Sequence, residues 1–265
     1  MKMRAVGMCL LACTLFAVGA IGSRANTLDP VVGCAVLGGA AVTNTGSTVV
    51  SGGVCVSPGT SITGFPPGVV NNGIINNDNG PAGIALAAAT FNFGALQGLP
   101  STEDLTGQNL GGQDLTDGVY SFSSSAQLTG ALTLNFQGLN NQTIVFLVGT
   151  ALTTASGSSV SVINPGTNDN IYWVVGSSAT LGTTTSFIGN IIADQSVTLD
   201  TGATINCGSA LALTGSVTMD DNTITGCSAA GGSGTGSTTP EPGSLVLLGT
   251  GLLGCAGLLR RKLLA

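Results

Sequence analysis

Histidine is absent from the 265 residues, and lysine and arginine together number six. All six sit at the two ends: Lys2, Arg4 and Arg24 near the start, Arg260, Arg261 and Lys262 near the finish. Residues 26–239 therefore carry no positive side chain, while eleven of the twelve acidic residues, all but Glu241, lie among them. A stretch without cations cannot neutralise phosphates, which excludes nucleic acid as a partner. Catalysis by a Ser-His-Asp or Cys-His set lacks its base, and a zinc site lacks its usual imidazoles. No salt bridge can form inside this stretch. Aromatic residues are scarce too, with one Trp and two Tyr.

An enzyme built here would have to work with carboxylates alone. Three close pairs occur: Glu103 with Asp104, Asp114 with Asp117, and Asp220 with Asp221. Glycosidic hydrolysis needs two carboxylates facing each other across a cleft with separated pKa values. Asp114 and Asp117 beside Gly118, and Asp220-Asp221-Asn222, fit turns instead, with a calcium ligand or a catalytic acid as the functional alternative. Neither the EF-hand spacing nor a Gly-Gly-x-Gly-x-Asp repeat is present. The expectation is a protein that is not an enzyme and uses no cofactor and no metal.

The chain begins with a basic start, an apolar run from Val6 to Ile21 and small residues at Ser23 and Ala25, the layout of a signal peptide over residues 1–25. At the other end, Pro240-Glu241-Pro242 precedes an apolar run from Gly243 to Leu259 and the cluster Arg260-Arg261-Lys262. The apolar run is near the lower limit, about 17 residues, for spanning a bilayer. The three parts of segment 240–265 resemble a PEP-CTERM sorting tail. That resemblance implies a sorting enzyme acting near Glu241 and membrane contact only through the tail before processing; a plain C-terminal anchor is the alternative. Either way the protein is expected to be exported, to be secreted or held at the cell surface or in extracellular matrix. Residues 228–239, a Gly/Ser/Thr tract, read as a linker.

Of seven cysteines, Cys9 and Cys13 fall in the leader and Cys255 in the tail. Cys34, Cys55, Cys207 and Cys227 remain, an even number in an oxidising compartment, with three possible connectivities. Spacings of 21 and 20 residues favour Cys34 with Cys55 and Cys207 with Cys227, if one structural coil is about twenty residues and adjacent coils lie about 4.8 Å apart.

From Val119 onward, short apolar–polar alternations rich in Val, Ile, Thr and Phe are broken by Gly, which is strand chemistry. A small-residue signature recurs: Thr45-Gly46-Ser47-Thr48, Thr129-Gly130-Ala131-Leu132, Ser156-Gly157-Ser158-Ser159, Leu181-Gly182-Thr183-Thr184, Thr201-Gly202-Ala203-Thr204 and Thr214-Gly215-Ser216-Val217. The last five glycines are 27, 25, 20 and 13 residues apart, so the repeat is loose, as in a β-solenoid with coils of unequal length. The candidate core comprises Val160, Val162, Ile171, Val174, Ile188, Ile191, Val197, Leu199, Ile205 and Leu213. Trp173 is placed inside and Tyr172 on the opposite side. Residues 81–97, between Gly80-Pro81 and Gly98, read as one helix. Its stripe of Ile84, Ala88, Phe91 and Ala95 is expected to lie against the solenoid.

The segments Ala35-Val36-Leu37-Gly38-Gly39, Ser57 to Gly68, Asp114 to Phe122 and Val175 to Gly182 resemble, in order, the signature segments of the microbial ice-binding (antifreeze) protein family, across nearly all of residues 31–227. The resemblance implies a mainly β fold, an irregular right-handed β-solenoid of triangular section over residues 26–227 with one long helix packed alongside. The helix here is short and apolar beside the family pattern. It also implies an ice crystal surface as partner, met by a flat face marked by Thr-x-x-Thr or Thr-Gly-x-Thr elements. Thr45 to Thr48 and Thr201 to Thr204 match Thr-Gly-x-Thr in full and the other sites in part.

The candidate face is therefore Thr45, Ser47, Thr48, Thr129, Ala131, Ser156, Ser158, Thr183, Thr185, Thr201, Thr204, Thr214 and Ser216. Each Thr-Gly-x-Thr element needs a bend at its glycine to bring both threonines to one side. The alternatives are threonines serving only as good strand residues, a structural or adhesive solenoid of the extracellular matrix, and a carbohydrate-degrading solenoid.

Overall fold

The computed structural model describes residues 33–77 and 80–226. The leader, Cys227, the linker and the tail with Pro240, Glu241 and Pro242 lie outside the described residues, as does any membrane span in the tail. No described helix is long and apolar enough to cross a membrane.

Every strand pairing is parallel, and each coil contributes one short strand to each of three faces. One face is a separate seven-stranded sheet, in the spatial order Ala126–Leu128, Leu152–Thr154, Ala179–Leu181, Val197–Leu199, Ser216–Asp220, Ala41–Thr45 and Ser61–Thr63. The other two faces form one fifteen-stranded sheet, because Ser186–Ala193 and Thr204–Ala212 run through the corner between them. Gly189, at a φ of +109°, makes that bend, and the pairing register shifts there.

The burial patterns explain why each segment takes its place. On two faces the strands alternate, as in Val197–Leu199, with inward residues buried and the middle one outward. On the third, Cys34–Gly38 and Asn170–Val175 are buried on nearly every residue. Those runs are apolar throughout because the helix α1 (Gly80–Gln97) lies over them.

The sequence analysis expected Ile84, Ala88, Phe91 and Ala95 to face the solenoid. Of these Ala88 packs against the sheet, but the helix is turned so that Ala82, Ala85, Ala89 and Leu96 are its buried residues, while Ala95 is exposed and Ile84 and Phe91 are 61% and 65% exposed. The reason is steric. The sheet already presents Leu37, Val145, Tyr172, Val174, Ile192 and Leu211 outward, and three alanines let the helix settle closely on that surface, with Leu86, Phe93 and Leu96 packed beside them. Val174 and Leu213 accordingly belong to this outer layer, not to the solenoid interior.

Inside the solenoid, like residues stack on like. Val160, Ile171, Ile191, Val197, Leu199 and Ile205 are in the interior cluster, with Val162 and Ile188 packed at its edge. Trp173 is inside and Tyr172 under the helix, as expected. The Tyr120, Phe146 and Trp173 rings stack in successive coils, with centroids 5.6 and 3.8 Å apart, and Phe187 tilts against Trp173 at 4.8 Å. The buried indole N–H donates to the Ile188 carbonyl at 3.1 Å.

The chain does not climb the solenoid in one pass. Residues 34–71 make two coils at one end, α1 carries the chain back along the stack, and residues 103–225 wind toward the start. The last coil docks on the first: Val36 registers with Ala210, Val42 with Val217 and Val50 with Ile224. Cys34–Cys55 joins the two N-terminal coils with Cα atoms 5.9 Å apart. Closing a loop of that size stabilises by about 3 kcal/mol in the chain-entropy account. Cys207 is disulfide-bonded as well.

Replacing Trp173 with Ala should cost about 3–5 kcal/mol, since it opens the interior stack and strands the Ile188 carbonyl. A fall in the urea midpoint at constant slope checks this; an unchanged midpoint would contradict the stacking role.

Candidate functional site

On the seven-stranded face the strands alternate inward and outward, and one outward residue of each coil falls in a common rank. Gln127 registers with Thr153, Thr153 with Thr180, Thr180 with Thr198 and Thr198 with Thr218. Thr218 registers with Thr43, and Thr43 with Thr63. Six threonines thus form one unbroken row over roughly 24 Å, at about 4.8 Å per strand. Each is flanked in its strand by residues turned inward, such as Val197 and Leu199 around Thr198. β-Branching restricts each side chain to few rotamers, so the methyls and hydroxyls repeat along the row. Beside it runs a row of small residues, with Ala41 in register with Ser216 and Ser61. In that row the Ser216 amide donates to Ser196 Oγ and the Ser196 amide to Ser178 Oγ, each at 3.3 Å.

The Gly-containing signature marks something else. Five of its six copies lie between the seven-stranded face and the next, where each coil turns the same corner; Thr214-Gly215-Ser216 lies at the preceding corner. Gly46, Gly130, Gly157 and Gly202 take φ values of +73°, +95°, +70° and +73° there, and Thr184 and Asp221 fill the same left-handed role. Amides at this corner donate to the neighbouring coil, Gly157 to Thr183, Thr184 to Thr201, Gly202 to Asp220 and Asp221 to Thr45. A Cβ on Gly46 would meet the Asp221 carboxylate at 2.2 Å.

That corner divides the expected face. Thr48, Ser158 and Thr185 point inward and are at most 1% exposed, which removes them from any surface. Their hydroxyls satisfy the inside of the bend: Thr48 Oγ1 accepts the Asn222 amide at 3.0 Å, and Ser158 Oγ donates to the Leu128 carbonyl at 3.0 Å. Thr185 Oγ1 lies 2.8 Å from Thr154 Oγ1. Ala131 and Thr204 stand on the neighbouring face, in the ranks containing Ser159 and Ser186. Ser47, Ser156, Thr183 and Thr201 occupy the corner, and Thr214 the preceding one. Only Thr45, Ser216 and Thr129 adjoin the threonine row. Gly46 and Gly202 do bend the chain, but they separate the two threonines of each element: Thr48 is turned into the interior, and Thr204 onto the neighbouring face.

Sequence reasoning missed Thr43, Thr63, Thr153, Thr180, Thr198 and Thr218. Their signal is the short pattern in which one threonine sits between two inward residues: Val42-Thr43-Asn44, Leu152-Thr153-Thr154, Ala179-Thr180-Leu181, Val197-Thr198-Leu199 and Val217-Thr218-Met219. Successive row members are 27, 18 and 20 residues apart from Thr153 to Thr218, so no fixed period exposes them.

Three of the paired carboxylates, Asp104, Asp220 and Asp221, are engaged in local structure. Asp104 Oδ1 accepts the Thr106 amide at 2.9 Å, and Asp221 Oδ1 accepts the Ser47 amide at 2.5 Å. Asp220 accepts the Thr201 hydroxyl and, at 2.9 Å, the Thr45 hydroxyl. These bonds, Thr201's first and Thr45's second, hold its carboxyl below the usual range. Among the described residues no group of three or more His, Cys, Asp or Glu is placed to hold a metal. The row itself is an uncharged array of hydroxyls and methyls, bordered on its own face by the Asp220 carboxylate, and what it can hold is ordered water.

A parallel solenoid with one flat threonine row and a helix on another flank is the architecture of a surface-binding protein. The comparisons agree. The family described as Ice-binding-like matches residues 36–225, and the PEP-CTERM protein-sorting motif matches residues 238–262. An ice-binding protein from Nostoc sp. (strain HG1) is 44% identical over 259 residues, covering 97% of this chain and 95% of its own. The crystal structure of an ice-binding protein from the Antarctic ascomycete Antarctomyces psychrotrophicus superposes with a TM-score of 0.69 at 38% identity, over 75% of this chain and 96% of that one. An ice-binding protein from an Antarctic biological consortium matches with a TM-score of 0.69 at 40% identity, over 75% and 90%. The chain belongs to the ice-binding-like family, and its C-terminal motif is that of exported, surface-sorted proteins.

Because the Asp220 carboxyl is lowered, its contribution to stability is present above the ordinary value of 3.8 and is lost as pH falls through the lowered folded value. The melting temperature of Asp220→Asn should therefore trail the wild type by a constant margin from neutral pH down to about 4 and converge on it below. A margin that persists in strong acid would show that the Thr201 and Thr45 bonds are not its source.

Proposed function

We propose that this chain is a non-enzymatic ice-binding protein, exported through its leader and sorting tail, which adsorbs to ice through the row Thr43, Thr63, Thr153, Thr180, Thr198 and Thr218. The observation that carries the proposal is the direct register of these six residues on one flat sheet. Ice offers no charge to pair with, so a binding face must recognise a water lattice by spacing. Repeated methyls restrain the first water layer and repeated hydroxyls anchor it, and a layer held in rank can merge with a crystal. Charged side chains within the row would hold water in competing arrangements; Asp220, beside it, is bonded to the Thr45 and Thr201 hydroxyls. The names and the folds of the relatives support the same conclusion.

The matrix or adhesive solenoid keeps the sorting motif as its support but does not account for an outward row of six identical residues. The carbohydrate-degrading alternative needs two free carboxylates across a cleft; in two of the three close pairs at least one carboxylate, Asp104 in one and both Asp220 and Asp221 in the other, is tied to neighbouring threonine, serine or backbone groups.

Thr180→Tyr with Thr198→Tyr places two rings in mid-row. Recrystallisation inhibition by this variant should require at least about a tenfold higher concentration, a loss of roughly 1.4 kcal/mol in adsorption. Thr204→Tyr, on the neighbouring face, should inhibit like the wild type. If Thr204→Tyr is the damaging change, the binding face is the other one; if wild type leaves crystal growth unaltered, the matrix alternative takes its place.

A further inference from the structure

Helix α1 leaves one of its long sides uncovered. Ile84, Ala87, Phe91 and Gly94 are all exposed, Ile84 and Phe91 at 61% and 65%. They follow one another at steps of three, four and three residues, which on a helix makes one straight seam with heptad spacing. Large and small residues alternate along it. A Cβ on Gly94 would meet nothing within 4 Å, so that small position is an open notch. A contiguous apolar seam left facing water marks a contact.

We propose that this seam joins two copies of the chain, paired as antiparallel helices about a two-fold axis near Ala89. Self-complementarity singles out that occupant. In the antiparallel pair each Ile84 lies opposite the partner's Gly94 and each Phe91 opposite the partner's Ala87, so every large residue meets a small one. A parallel pair would set Ile84 on Ile84 and Phe91 on Phe91, and leave gaps at Ala87 and Gly94. Charge selects the same partner and direction. Residues 26–239 carry eleven acidic groups and no basic one, so copies of this domain repel each other unless they meet where charge is missing. Residues 79–102 contain no ionisable side chain, and Gly83, Ala88, Thr90 and Ala95, which flank the seam, are small and uncharged. Antiparallel helices also bring each positive N-terminal end beside a negative C-terminal one.

The area sets the strength. A helix of 18 residues, about 27 Å long and roughly 10 Å wide, offers about 270 Å² per copy, so the pair buries about half of the roughly 1,200 Å² that a stable complex needs. The dimer is therefore weak and forms where the protein is concentrated. The helix and the threonine row lie on different faces, so pairing leaves both rows open.

The test uses protein spanning 26–239, whose residues up to Ala230 form one compact unit, in sedimentation equilibrium. Wild type should be monomeric at about 10 µM and shift toward twice that mass near about 1 mM, with a Kd on the order of 10⁻⁴ to 10⁻³ M. Ala87→Phe sets ring against ring and should raise that Kd at least about tenfold. Adding Phe91→Ala exchanges large and small across the axis and should restore the wild-type Kd. Unchanged melting temperatures show that these outward substitutions leave the fold intact.

A wild type that stays monomeric throughout would overturn the proposal and give the seam to another occupant, such as a chain segment outside the described residues or a lipid surface. Association that Ala87→Phe leaves unchanged or strengthens would overturn it as well, because an unspecific apolar face gains from an added ring. Failure of the double exchange to restore pairing would overturn the antiparallel register. No ice enters the measurement, so its outcome is independent of the function proposed above.

Discussion

Parallel, in-register stacking of coils is the constraint from which the other features descend. Backbone hydrogen bonds between neighbouring coils place each residue above its counterpart about 4.8 Å away. A chemical choice made at one position is therefore met by the choice made at the same position one coil along. Aliphatic residues repeat into an interior column, and rings repeat into the Tyr120–Phe146–Trp173 stack. Left-handed residues repeat into a corner, and threonines repeat into a row. The outward surface is ordered because the inward one has to be.

The helix follows from the same arithmetic. A face whose strands are apolar on both sides cannot be left to water, and the coils have no second layer of their own to cover it. An 18-residue helix, about 27 Å long, covers most of that face in one element. Its alanine-rich side accepts the ridges of Leu37, Val174 and Leu211, while its bulkier Ile84 and Phe91 remain outside. With alanines innermost and Ile84 and Phe91 outside, the arrangement partly inverts the usual amphipathic logic, while Leu86, Phe93 and Leu96 still pack inward.

That inversion marks where sequence reading succeeds and where it stops. Strand chemistry, the loose glycine repeat, the position of Trp173, the Cys34–Cys55 link and the extent of the helix were all legible, since each depends on local propensity or on one spacing. The buried side of the helix was not, because it depends on which surface the sheet offers. The functional row was hidden for a related reason. Glycine is conspicuous in a sequence and marks the corner, whereas Thr180 or Thr198, between ordinary inward residues, acquires meaning only once coils of 27, 18 and 20 residues are brought into register. The elements that looked like paired threonines split at Gly46 and Gly202, where a left-handed residue sends the chain around the bend.

The backtracking path of the chain has a consequence for how such a molecule can change over generations. An open repeat array lengthens by adding units at one end, but here the first and last described coils are enclosed within the stack, at the seam where Val36 meets Ala210. A new coil has to enter at an internal coil boundary, between residues 51 and 206, and each addition lengthens the distance that the connection through α1 must cover. The helix is the ruler that sets this distance. The number of threonines in the row and the number of turns in α1 are thus inherited as a pair, and a lineage that enlarges one must enlarge the other.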